Sequence, residues 1–178
     1  VNLGSHPVIY TDRLILRPLG LQDFAAYVEF WQTDEVVEFL SGSALPREQI
    51  WRRMLSTVGH WQLLHFGFFA IEEKASGKLI GEAGFQEMRR DVVPSIEGTL
   101  ETGWGVLPAY HGKGYAREAM DVALTWAAEA HPNLDFTCII NPENSASIRL
   151  ATRLGFGEQN VSMYSNKPIL ILRKNRAR

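Results

Sequence analysis

Cysteine is nearly absent: Cys138 is the only one among 178 residues, so no disulfide forms within the chain. Its place in the apolar run Phe136-Thr137-Cys138-Ile139-Ile140 fits a buried thiol in a reducing compartment, and no base lies beside it to make it a nucleophile. Histidine, cysteine and acidic residues nowhere recur at metal-ligand spacing, so no metal is expected. Apolar runs fall well short of the ~20 residues that cross a bilayer. The N-terminal stretch lacks the basic-then-apolar profile of a signal peptide, and the expectation is a cytoplasmic protein with no membrane partner. An excess of one charge is missing too. The formal net charge is −2, and without a basic stripe interleaved with aromatics nucleic acid is not an expected partner.

What remains is ordinary for a globular protein: 46% apolar and 21% charged residues, in a length suited to one domain spanning 1–178. Gly4-Ser5-His6 reads equally as a cloning remnant or as native sequence, and residues 1–10 are left out of the reading. Residues 13–18 alternate polar and apolar positions up to Pro18, as a first strand does. Leu21, Phe24, Ala25, Val28 and Trp31 then recur at helical spacing, 34–40 reads as a short helix or turn, and Ile50, Trp51, Met54, Leu55, Val58 and Trp61 mark a helix starting at Pro46. Strand-like stretches 66–72 and 79–86 flank a turn at 74–78, forming a hairpin. Residues 88–98 are irregular, a strand ends at Val106, and a helix carries Ala119, Met120, Ala123, Leu124 and Ala127 on one face. A buried parallel strand at 136–140, a helix capped by Asn144 and stopped at Gly155, and strands at 161–164 and 169–173 complete a mixed α/β order.

Between Val106 and that second long helix lies Leu107-Pro108-Ala109-Tyr110-His111-Gly112-Lys113-Gly114-Tyr115-Ala116-Arg117. Two glycines let the backbone approach an anion closely, and the helix start adds unpaired N–H donors and the positive end of its dipole. The pattern suits a pyrophosphate. It lacks the Gly-Lys-Ser/Thr of a P-loop and the three-glycine dinucleotide fingerprint.

The loop resembles the Gln/Arg-x-x-Gly-x-Gly/Ala loop of the GNAT superfamily of acyl-CoA-dependent N-acetyltransferases, with His111 in the Gln/Arg place, Gly114 the central glycine and Ala116 the last small residue. A second segment, Asn141 through Asn144, Ser147, Arg149 and Ala151 to Gly155-Phe156, is similar to the helix that borders the pantetheine arm in that superfamily. Thr11-Asp12-Arg13-Leu14-Ile15-Leu16-Arg17 and Ile80-Gly81-Glu82-Ala83-Gly84-Phe85 further resemble the branch that acetylates ribosomal-protein N-termini. The likeness runs over about 11–173. It implies one domain with a central twisted, mostly antiparallel sheet, a splayed parallel strand pair and about four flanking helices.

The resemblance also implies acetyl-CoA as cosubstrate, held by Trp104, Val106, His111, Gly112, Lys113, Gly114, Tyr115, Ala116, Arg117, Asn141, Asn144, Ser147 and Arg149. Acetyl transfer to an amine needs a base, since a typical amine is protonated at neutral pH. Glu101 is the first candidate and Glu82 the second; the backbone N–H of Val106 or a neighbour suits the oxyanion. Many members carry a tyrosine acid seven residues after the asparagine, where this chain has Ala151, and Ser147 resembles a substitute. Lys113, Arg117, Arg149 and Arg153 suit the adenosine phosphates. The expected acceptor is a small-molecule amine or a peptide N-terminus, met by Trp31, Phe39, Trp51, Trp61 and Phe66 along the wall and by Glu35, Glu38 or Glu97 at the mouth. The chain is expected as a monomer or homodimer. The alternative is a non-catalytic acyl-CoA-binding or regulatory module.

Overall fold

A computed structural model describes residues 6–174; Gly4 and Ser5 of the ambiguous N-terminal stretch lie outside the described residues. Two short strands, β1 (Ile9–Tyr10) and β2 (Leu14–Arg17), lead through a single 3-10 turn into α1 (Phe24–Gln32), α2 (Asp34–Val37) and α3 (Arg47–Leu64). The hairpin β3 (Phe68–Glu73) and β4 (Lys78–Gln86) follows, then β5 (Leu100–Val106), α4 (Tyr115–Ala130), β6 (Phe136–Ile140), α5 (Ser145–Arg153), β7 (Glu158–Tyr164) and β8 (Lys167–Lys174). The strands form one sheet in the order β1-β2-β3-β4-β5-β6-β8-β7. Every pairing is antiparallel except β5 with β6. Mixed α/β architecture with one parallel pair is therefore what the molecule has.

Local chemistry explains most boundaries. Pro46 caps α3 from outside instead of starting it, because its extended backbone (ψ 144°) precedes the first helical residue. Asn144 caps α5 through its side-chain oxygen, which accepts from Ser147 N–H, and Gly155 (φ +90°) turns the chain out of α5 in the left-handed region. Residues 87–99 form neither helix nor strand, yet Val92 and Ile96 are buried against Ile139, Ile169 and Ile171. The salt bridges from Arg17 to Asp23 and Glu72 tie the start of α1 to the sheet.

The sheet separates two cores. Phe69, Ala83, Phe85 and Val106 join α4 and α5 residues in the larger one. On the opposite face, Tyr27, Phe30, Trp31, Ile50 and Met54 pack with Ala70. Period-two alternation sends Glu82, Gly103 and Gly105 to this second face, where a Cβ on Gly103 would lie 2.8 Å from Phe68 and one on Gly105 3.0 Å from Phe30. Trp61 and Phe66 correct the expected acceptor wall. Both belong to the α4-side core, Trp61 packing on Phe69 and Trp126. Trp31 is buried, and Trp51 is half-exposed against Phe24.

Candidate active site

Strand β5 faces a different neighbour with each alternate residue. Leu107 N–H donates to Ile80 on β4, whereas Leu100 N–H donates to Asp135 just before β6. By that alternation the backbone groups of Glu101, Gly103 and Gly105 turn to β4, and those of Thr102, Trp104 and Val106 turn toward β6. The parallel register with β6 holds only at Leu100–Phe136 and Glu101–Thr137. Beyond it the strands part, and Thr102, Gly103, Trp104, Cys138, Ile139, Ile140 and Asn141 line a small cavity of about 60 Å³ in the gap. Strand ends that have lost their partner offer free N–H and C=O groups to an extended ligand.

That gap shares Phe39, Leu40, Trp104, Asn144 and Ser147 with a larger cleft of about 680 Å³, within the usual size range for cofactor and ligand sites. The larger cleft is lined by Val106, His111, Gly112, Gly114, Tyr115, Ala116, Arg117, Arg149 and Arg153, among others. Glu35 and Glu38 also line it. Of the residues expected at the cofactor, Lys113 is the exception: its ammonium donates to Ala109 O at 2.7 Å, tied back on its own loop. His111 Nε2 donates to Val106 O at 2.8 Å, which satisfies the last carbonyl of β5.

The loop is held from behind. Gly114 (φ +81°) takes the left-handed conformation and caps α4, a backbone state costing other L-residues roughly 1–2 kcal/mol. Tyr110 and Tyr115 both donate to Glu73, as does Ser76, and these bonds hold the Glu73 carboxyl below its ordinary pKa. Glu118, in the first turn of α4, accepts from Thr11 Oγ1 and from the backbone and side chain of Arg13. Burial pushes the Glu118 carboxyl up, but these donors outweigh it and leave the pKa lowered.

Neither candidate base is among the residues lining these two cavities. The Glu101 carboxylate takes Arg90 Nε at 2.7 Å, Arg90 Nη2 at 2.9 Å and Gln86 Nε2 at 2.7 Å, one residue before the strands separate. So engaged, the buried carboxylate pins the 87–99 segment to the sheet. Glu82 is buried as well, accepting from Tyr27 Oη at 2.7 Å and Arg53 Nη2 at 2.7 Å. Two bonds leave it about half of a carboxylate's four lone-pair sites. Burial and the Glu82 charge push the Tyr27 phenol well up, and for Arg53 the same carboxylate overcomes burial and raises the guanidinium. Burial likewise raises the Cys138 thiol, so it stays protonated although it borders the gap.

Sequence spacing had no means of finding Arg53, Tyr27 and Arg90, because their partners lie 29, 55 and 11 residues away. Ser147 borders both cavities, and buried Ala151 leaves no hydroxyl there. Among the described residues no cluster has the makings of a metal site, and no helix is long and apolar enough to cross a membrane.

Comparison with known proteins identifies the family and the fold. A family model described as an acetyltransferase (GNAT) domain matches residues 13–157. The chain is 26% identical over 164 residues to an uncharacterized N-acetyltransferase, YoaA, of Bacillus subtilis (strain 168), covering 90% of each chain. A putative GnaT-family acetyltransferase from Bordetella pertussis superposes with a TM-score of 0.86 at 30% identity, covering 95% of this chain and 99% of the other. The fold is also that of RimL, a ribosomal L7/L12 alpha-N-protein acetyltransferase solved with coenzyme A (TM-score 0.77, 14% identity, 94% and 97% covered).

Proposed function

The chain belongs to the GNAT acetyltransferase family, and from that premise we propose that it moves an acetyl group from acetyl-CoA to a primary amine, on a small molecule or a peptide N-terminus. The observation that supports this most is the opening of β5 from β6 directly into the glycine loop at the start of α4. A thioester arm lying in the gap would bond the free groups of Trp104 as an added strand does, leaving the Val106 N–H for the thioester carbonyl, while the diphosphate would meet the N–H groups around Gly112 and Gly114.

In the reaction the neutral amine nitrogen attacks the thioester carbonyl, forming the N–C bond. The tetrahedral oxyanion takes the Val106 N–H, the C–S bond breaks, and coenzyme A leaves as thiolate. Glu82 receives the proton lost by the amine through a short water relay from the cleft, since its carboxylate does not line it; two bonds on Glu82 against three on Glu101 favour it as the base. Ser147, which lines the gap, passes a proton to the departing thiolate and regains one from solvent water in the cleft. Glu35 and Glu38 draw a cationic amine to the cleft.

The locked carboxylates and Ala151 favour a second reading, a module that binds acyl-CoA without turning it over. Release of free thiol from acetyl-CoA is measured with a panel of amines, peptides with unblocked N-termini and N-terminally blocked lysine peptides. Turnover with the first two classes supports the proposal. Binding without turnover supports the module, and preference for blocked lysine peptides overturns the acceptor assignment.

A further inference from the structure

Arg13 touches the glycine loop from outside the lining of the cleft. It does not line the cavity, yet its Nη1 donates to the Lys113 carbonyl at 3.0 Å, and its Nη2 would stand 3.6 Å from a Cβ on Gly114. In a planar trans peptide the C=O and N–H point in opposite directions. A Lys113 carbonyl drawn onto Arg13 therefore turns the Gly114 N–H away from Arg13, toward the side on which Gly112, Gly114 and Tyr115 line the cleft.

The rest of the guanidinium is spent on orientation and charge. Arg13 Nε reaches Glu118 Oε2 at 2.7 Å and Nη2 reaches the same oxygen at 2.6 Å, while the carbon of the guanidinium sits 4.0 Å over the Tyr115 ring. Glu118 also accepts Arg13 N–H and Thr11 Oγ1, so its position is fixed from the β1–β2 turn. A carboxylate in the first turn of α4 would repel a diphosphate placed at that helix start; pairing with Arg13 neutralises it. One side chain does both jobs because its fork carries several donors in a fixed plane.

We infer that Arg13 is a positioning residue for the cosubstrate: it aims the Gly114 N–H at the diphosphate and cancels the Glu118 charge, without touching the ligand. This rests on the reading of the cleft as a coenzyme A site.

The test uses calorimetric titration of the full chain with coenzyme A, together with acetyl-CoA kinetics on any amine the panel identifies. Lysine at position 13 keeps the charge opposite Glu118, but its single ammonium lacks the fork that spans Glu118 and Lys113 O together. Arg13→Lys is expected to weaken coenzyme A binding about tenfold, the scale of one charged hydrogen bond. The KM for acetyl-CoA rises by a similar factor, kcat changes less than about twofold, and the ligand-free melting midpoint moves by about 3 °C or less. In Arg13→Ala the exposed Glu118 charge adds to the loss, and Arg13→Ala/Glu118→Ala recovers that added part but not the first. Coenzyme A binding by Arg13→Lys equal to the parent overturns the inference alone, as does a loss confined to kcat. Failure of the parent chain to bind coenzyme A overturns the site reading, and the inference with it.

Discussion

Replacing Glu82 with glutamine separates two roles that the structure lays on one side chain. The substitution keeps size and shape, and the amide can turn its NH₂ to the Tyr27 oxygen and its C=O to Arg53, but in that orientation the bond to the arginine at 2.7 Å is no longer an ion pair, and in the other it is lost. Breaking a buried pair costs about 3–5 kcal/mol, and a hydrogen bond to a charged group about 1.5–3 kcal/mol. Because the Arg53 side chain is 29% exposed, though its Nε is buried, water screens part of the stranded charge and the lower range applies, about 2–3 kcal/mol. For a chain of this size that lowers the melting midpoint by about 4–12 °C. Loss of a general base lowers turnover by a further factor of about 10² or more. The assay is thermal unfolding followed by pH–rate profiles below the variant's transition. With an α-amino acceptor of pKa about 8, the Glu82→Gln rate should climb with the fraction of free amine and approach the parent's at high pH. Coincident profile shapes, with only the melting shift, refute the assignment of Glu82 as base. An unchanged midpoint refutes the energetic argument for the Arg53 pair.

Glu101→Gln should show the converse: a stability loss of about 3 kcal/mol, since both it and Arg90 are more enclosed, with a pH–rate profile shaped like the parent's; recovery of its lost rate at high pH would restore Glu101 as the base. Gly114→Glu should weaken coenzyme A binding about tenfold or more in a folded protein, because it strains a residue at φ +81° and sets a side chain whose Cβ would stand 3.6 Å from Arg13 Nη2, drawing the guanidinium off Lys113 O; calorimetry showing unchanged affinity would mean the loop is misassigned. The lowered pKa of Glu118 means that its contribution to stability is complete above the ordinary carboxylate value of about 4.3 and is lost as pH falls through the lower folded value. Acid unfolding of Glu118→Gln, followed by circular dichroism below pH ~4, should accordingly be less steep than that of the parent; equal slopes would deny Glu118 this role.

Elements set by local chemistry were legible in the sequence. Asn144, Gly155 and the apolar stripe on α4 placed two helices, and β-rich 136–140 placed the parallel strand. The glycine loop was legible for the same reason, since backbone conformation at Gly114 is written in one residue type. Side-chain roles that depend on distant partners were not. Glu82 and Glu101 look alike as strand glutamates, and only the tertiary approach of Arg53, Tyr27, Arg90 and Gln86 distinguishes them. Trp61 repeats at helical spacing with Ile50 and Met54 yet ends in the other core, because α3 is long enough for its last turn to pack on Phe69 and Trp126. The strand β1 fell in the stretch set aside at the N-terminus.

Two residue pairs, Leu100–Phe136 and Glu101–Thr137, are the whole backbone seam between a five-stranded and a three-stranded half of the sheet. A seam so short is reinforced at its closed end by the hydroxyl contact of Thr99 with Thr137 at 2.8 Å and by Arg90, which bonds Glu101 and lies 4.8 Å over the Tyr164 ring of β7. An extended ligand in the gap would work as a strut between the halves, converting a relative rocking of the two into a single rigid body. Amide exchange along Trp104–Val106 and Ile139–Asn141 would then report occupancy from both banks of the gap at once, and the mechanical stiffness of the sheet would itself become a measure of whether cosubstrate is bound.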